Sequence, residues 1–178
     1  YLTHLCSRPD AAHGCILGRE SALQKIEWRG GWPRLVGGGR FAHTVWPAPA
    51  GLPEFTPAAL PERDDFDTES LAPGYAVPRA PLGDCLSLTA RPGWLRLTGQ
   101  ESMNSLHHVS LLARRQTEHK LAADTRMDFA PTCPEQMAGL AYYYDTMNFY
   151  LLGKTCADDG TPVLALLKSD TGVITDVC

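Results

Sequence analysis

The alternation of apolar and polar positions is clearest from Cys85 to Gly99. Leu86, Leu88 and Ala90 alternate with Ser87 and Thr89, and Leu95 and Leu97 alternate with Arg96 and Thr98, the period of strands with one buried face. Between them Arg91-Pro92-Gly93 supplies a fixed φ and then a residue free to take φ > 0, so the stretch predicts a β-hairpin. A lone hairpin is marginal in water, and its apolar face needs a second layer. Runs at 109–115, 121–129, 138–144, 148–153, 163–168 and 173–177 are candidate strands for it, separated by turn residues at 100–104, 131–134, 145–146, 158–160 and 170–172. Short strands at this spacing predict an antiparallel sandwich. Residues 116–123 have helical propensity but neither cap nor apolar stripe, and read as loop into strand.

Ahead of the hairpin, Leu2–Cys6 reads as a buried strand and Ser7-Arg8-Pro9-Asp10 as a turn. The run 15–21 leads into 22–28, which reads as strand with mixed faces, and Arg29-Gly30-Gly31 turns the chain into Trp32–Val36. Two short hairpins do not make a domain, so residues 1–40 read as the end of a larger β domain. Pro47, Pro49, Pro53, Pro57 and Pro61 exclude helix and central strand, and residues 41–61 read as a semi-rigid linker pinned by Phe55 and Leu60. Residues 62–178 then form a second, sandwich domain. The chain opens at Tyr1 inside a strand-like run and stops at Cys178 inside GVITDVC. Both ends read as cut, and the strand edges this leaves open predict self-association.

Composition narrows the partners. A formal charge of −4 with scattered Lys and Arg gives no electrostatic footprint for nucleic acid or an anionic membrane. No apolar run approaches the roughly 20 residues that span a bilayer. The six cysteines, Cys6, Cys15, Cys85, Cys133, Cys156 and Cys178, are spread singly without zinc-site spacing, and read as free thiols. They point to a cytoplasmic protein, with secretion as the alternative.

Few residues offer chemistry. Gly37-Gly38-Gly39 precedes no helix pattern and reads as the exit from a strand rather than a phosphate cradle. His107 and His108 are adjacent on a strand entrance, where their side chains point to opposite faces. Asp64, Asp65 and Asp67 are clustered carboxylates that suit calcium or an acid/base pair; the alternative is a charged strand start around a buried Phe66. Tyr142–Tyr144, Trp28 and Trp32 suit either sugar stacking or, more commonly in a β domain, the core. Arg19 stands between Gly18 and Glu20 after an apolar approach, and a half-buried guanidinium there needs a partner. Glu20, another carboxylate, or a polyhydroxylated ligand each fit.

The segments YLTHLCSRP, CILGRESALQKIEWRGGWPRLVGG, PERDDFD, LTARPGWLRLTG, ARRQ and EQMAGLAYYYDTMNFY, in that order, closely resemble the later part of family 43 glycoside hydrolases of the β-xylosidase type. The resemblance implies an all-β chain: the last strands of a five-bladed catalytic β-propeller, followed by an antiparallel concanavalin-like β-sandwich. It implies that Arg19, the arginine of LGRE, lines the pocket and hydrogen-bonds the sugar at the bond to be broken. The carboxylates of an inverting mechanism, a general-base Asp, a pKa-tuning Asp and a general-acid Glu, would lie upstream of Tyr1, so no catalytic residue is assigned in this chain. The loop Ser7–Gly14 is shorter than in the family. The implied substrates are xylo-oligosaccharides or arabinosides, with no organic cofactor; a structural calcium ion and a homo-oligomer are compatible with the whole enzyme. A carbohydrate-binding or structural sandwich without chemistry is the alternative.

Overall fold

The structure is a computed structural model and describes residues 1–177. It is all-β, with a single three-residue 3-10 turn at Gly83–Cys85 among the described residues. Two compact units are present. The first comprises Tyr1–Ala59 together with Gln116–Leu121, and the second Leu60–Arg115 and the chain from Ala122 onward.

In the first unit, β1 (Leu2–Cys6) pairs antiparallel with β2 (Glu20–Gln24), from Leu2 opposite Gln24 to Cys6 opposite Glu20. β1 is a strand but not a buried one, with Leu2 and Leu5 exposed, because its ladder has only two strands. β3 (Ile26–Arg29) and β4 (Trp32–Leu35) form a second hairpin around Gly30-Gly31. The expected run 22–28 is therefore split at Lys25. Its carbonyl accepts from the Val36 amide, so the chain changes partner there, from β1 to β4. Gln24 ends β2 only 3 % exposed. Its amide nitrogen donates to the His43 carbonyl at 2.8 Å, and its carbonyl oxygen accepts from the His43 amide at 3.1 Å. A primary amide offers a donor and an acceptor at this spacing, so one side chain satisfies both backbone groups of His43. Residues 41–59 otherwise carry neither helix nor strand.

The second unit centres on an antiparallel sheet of four strands in the order β12-β11-β10-β9: β9 (Ala138–Tyr143), β10 (Phe149–Cys156), β11 (Pro162–Asp170) and β12 (Val173–Asp176). The period-2 pattern sets the face. Phe149, Leu151 and Thr155 are buried, and so are Ala165 and Ser169 on the neighbouring strand, while Tyr150, Leu152 and Leu164 lie exposed. Tyr142 and Tyr144 fall on the exposed phase, and Tyr143 stacks on Phe149 with centroids 6.4 Å apart. Tyr142 and Tyr144 are therefore not core, and Tyr143 is half-buried on the inner face, because neighbours on a strand point to opposite faces.

Three smaller features depart from the expected strands. β5 (Tyr75–Ala76) pairs with β8 (Ala113–Arg114), so two residues of the 109–115 run enter a ladder. The hairpin at 85–99 is present but short: β6 (Leu86–Ser87) pairs with β7 (Arg96–Leu97) and no further. The Arg91-Pro92-Gly93 turn forms, with Gly93 at φ 73° and the Trp94 amide on the Arg91 carbonyl. Past Ser87, however, its hydroxyl captures the amides of Thr89 and Ala90, a local bond that competes with the ladder. The 121–129 stretch forms no strand. Side chains fasten it instead: Asp128 bonds Arg91 at 2.6 Å, and Arg126 sits 5.3 Å over the Trp94 ring, with Arg91 at 4.0 Å from the same ring.

Gly139 and Gly153 face each other across β9 and β10. A methyl group on Gly139 would lie 1.9 Å from the Leu152 carbonyl oxygen, and one on Gly153 would meet Met137 at 2.5 Å. The closest atoms at Gly139 are backbone and have no rotamer to change. Gly139→Ala is therefore expected to cost about 3 kcal/mol and to lower the thermal midpoint by roughly 6–12 °C. Scanning calorimetry of the variant checks this, and an unchanged midpoint would contradict the close approach.

Candidate functional site

Arg19 lies at the end of the 13-residue connection between β1 and β2. The first part of that connection closes on itself. Asp10 Oδ1 accepts from the amides of Ala12 at 2.9 Å and Gly14 at 2.7 Å, and the Asp10 amide donates to the Gly14 carbonyl. His13 is at φ 63°, a region that non-glycine residues enter uncommonly, Asn, Asp and His more often than the rest. The Asp10 bonds hold it there. Leu17 then anchors the chain, 4 % exposed, and Gly18 at φ 74° donates to the Cys15 carbonyl. Arg19 follows on an exposed position immediately before β2.

Glu20, the first residue of β2, accepts both bonds of the Arg8 guanidinium fork, each at 2.9 Å. The partner considered for Arg19 in the sequence is thus held by Arg8. Neither Arg8, Asp10 nor Gln24 stands out in the sequence as a site residue. The available signal was charge at the loop end of a hairpin: with Cys6 opposite Glu20, a residue two places past Cys6 sits beside the carboxylate.

Two shallow grooves lie in this unit. One, of about 240 Å³, is lined by residues including Tyr1, Gln24, His43 and Trp46; the other, of about 380 Å³, by residues including His4, Gln24, Arg34 and Arg40. Arg19 lines neither. His4 Nε2 is buried in the unit without a hydrogen-bond partner.

The remaining candidates are occupied structurally. Asp65 pairs with Arg63 at 2.6 Å, and Asp64 Oδ1 accepts from the Phe66 amide at 2.8 Å, holding Phe66 at φ 55°. Burial, and after it the Asp64 charge, raises the Tyr75 hydroxyl above its ordinary pKa. The three aspartates are not gathered on one point, and no group of three or more His, Cys, Asp or Glu among the described residues is placed to hold a metal. His107 and His108 are exposed in a loop closed by Glu101, whose carboxylate accepts from Ser105 and the His108 amide. Gly37, Gly38 and Gly39 all take positive φ as the chain leaves β4, a conformation glycine enters without steric cost. Trp28 and Trp32 are 71 % and 68 % exposed. They are not core, because their hairpin is a sheet of two strands and they occupy its opposite faces. The five described cysteines are free thiols, and Cys178 lies outside the described residues.

The described residues form an all-β chain with an antiparallel four-stranded meander, preceded by hairpins and a Leu-Gly-Arg-Glu turn, and the family match places it in the concanavalin-like β-sandwich class. Residues 63–178 match the family described as the β-xylosidase C-terminal concanavalin A-like domain. The chain belongs to that family, the β-xylosidase branch of glycoside hydrolase family 43. It is 37 % identical over 190 residues to the xylan 1,3-β-xylosidase of a Vibrio species, a match covering 99 % of this chain and 34 % of that protein. It is 34 % identical to the non-reducing end α-L-arabinofuranosidase BoGH43B of Bacteroides ovatus, over 75 % of this chain and 25 % of the relative. The crystal structure of xylan β-1,4-xylosidase from Bacillus halodurans C-125 superposes with a TM-score of 0.85 at 34 % identity, covering 99 % of this chain and 34 % of that one. The chain spans about a third of the length of the relatives it matches.

The carboxylates whose pKa clearly departs from the ordinary range, Asp65, Glu101, Asp128, Glu135, Asp145 and Asp159, are all displaced downward. Asp145 is typical: backbone amide donation from Met147 is the main cause, followed by Asn148 once desolvation is set against it. A folded-state pKa below the unfolded one stabilises the fold while the group is ionised, and that stability disappears as pH falls through the folded value. The thermal midpoint is expected to hold from pH 7 to 5 and to drop below about pH 4. Asp145→Ala is expected to lower the midpoint at pH 7 and to flatten the acid limb. An equally steep limb in the variant would contradict the assignment.

Proposed function

We propose that this chain is part of a glycoside hydrolase acting on the ends of xylan-derived oligosaccharides, as a β-xylosidase or an α-L-arabinofuranosidase, and that Arg19 grips the sugar at the bond to be cleaved. The first unit is the end of the catalytic β-propeller. The observation that carries the reading is the Leu-Gly-Arg-Glu turn: buried Leu17 and clamped Glu20 flank an exposed Arg19, in a chain whose relatives are named for cleaving xylosides and arabinosides. A guanidinium offers five fixed N–H donors, which suit the hydroxyls of a pentose.

Hydrolysis with inversion needs one carboxylic acid to protonate the leaving oxygen and one carboxylate to activate water on the opposite face. Those groups are assigned to polypeptide outside residues 1–178. Proton transfer contributes typically about 10²- to 10⁴-fold, so this chain alone is expected to leave nitrophenyl xyloside intact. Turnover above a heat-killed blank would place the catalytic pair within it. A second reading, a sandwich that binds sugar without chemistry, draws on the exposed Tyr142, Tyr144 and Tyr150, since aromatic faces pack on sugar C–H surfaces. Xylobiose titration separates the two. Arg19→Ala is expected to weaken binding at least about tenfold, the loss of a charged hydrogen-bonding group; binding that ignores the substitution puts the ligand on the sandwich. The free thiols support a reducing, cytoplasmic setting.

A further inference from the structure

One side chain joins the turn after β1, the start of β2 and a stretch of chain a hundred residues away. Arg8 Nε and Nη2 donate to the two oxygens of Glu20, each at 2.9 Å, and Nη2 also donates to the Thr117 carbonyl at 2.8 Å. His119 Nε2 lies 3.3 Å from the Arg8 carbonyl, within reach to donate to it. Residues 116–121 are thereby held in the first unit, although the chain on either side of them belongs to the second. Glu20 is also the rung of the β1–β2 ladder next to the connection that ends at Arg19, so the fork closes the base of that loop.

We propose that Arg8 is a positioning residue for Arg19: its fork fixes Glu20, and with it the backbone that presents Arg19, and the same fork orders residues 116–121 through Thr117. This rests on the reading of Arg19 as the sugar-gripping residue. An ion pair this exposed adds little to global stability. Three bonds from one rigid plane instead fix a direction, which a lysine with a single mobile ammonium does not reproduce. The loss of the fork is therefore expressed in local order and sugar affinity rather than in the melting midpoint. Order at 116–121 and at Arg19 rises and falls together.

The test uses Arg8→Lys and Arg8→Ala, with Arg19→Ala as reference, followed by hydrogen exchange and xylobiose titration. In Arg8→Lys the midpoint is expected to move by no more than about 2 °C. Exchange is expected to rise about tenfold at both 19–21 and 116–121, leaving β3 and β4 unchanged, and xylobiose affinity to fall about fivefold. Arg8→Ala is expected to do the same, so that charge without the fork rescues nothing. Wild-type exchange at either stretch in Arg8→Lys overturns the proposal, as does wild-type affinity in Arg8→Lys where Arg19→Ala abolishes binding. Wild-type affinity in Arg19→Ala sinks the sugar role of Arg19 instead, and the exchange pattern then decides the fork by itself.

Discussion

Backbone amides outside the ladders must still find acceptors, and in this chain short polar side chains supply them. Long stretches, 41–59 and 115–137 among them, carry no strand, yet an amide buried without a partner is costly. Asp10 takes the amides of Ala12 and Gly14, Gln24 that of His43, Asp64 that of Phe66, and Ser87 those of Thr89 and Ala90. Glu101 takes His108, Asp145 takes Met147 and Asn148, and Asp159 takes Thr161. Each of these side chains fixes a turn that brings the flanking strands or coils together. The four-stranded meander depends on them too, because Asp145 and Asp159 close the two turns on either side of β10.

The same device explains what was legible beforehand. The strands from 138 onward could be read because each obeys one period over at least four residues and is bounded by a turn, and burial then fixes register. The 85–99 hairpin was half legible. Its turn is written in Pro92-Gly93, but the capture of two amides by Ser87 depends on a rotamer that alternation does not encode. The 121–129 stretch has alternating Thr125, Met127 and Phe129, but its polar phase, Arg126 and Asp128, is recruited to Trp94 and Arg91. Those partners lie more than thirty residues away, beyond the reach of a periodic pattern.

The site was legible in a different way. Arg19 was singled out by its motif, not by periodicity, and the structure adds what surrounds it: a loop closed by Asp10, an anchor at Leu17, a left-handed glycine and a clamped glutamate. Arg8 went unrecognised because its two partners, at positions 20 and 117, are separated from it by 12 and 109 residues. Only the register of β1 against β2 places it beside Glu20.

The carboxylates carry the last step. A general acid that works near neutral pH needs its pKa raised, by burial or by a neighbouring negative charge. A carboxylate that accepts backbone amides or pairs with a guanidinium moves the other way. Of the three aspartates that suggest acid/base chemistry in the sequence, Asp64, Asp65 and Asp67, Asp65 is paired with Arg63, which displaces its pKa downward. Glu20, the acid nearest Arg19 in the chain, has both carboxylate oxygens on the Arg8 fork. Residues that fasten a fold by being charged are poorly placed to hold a proton for a leaving group. Among the described residues the displaced carboxylates thus serve the fold, each favoured in its ionised form by the amides or the guanidinium that it fastens.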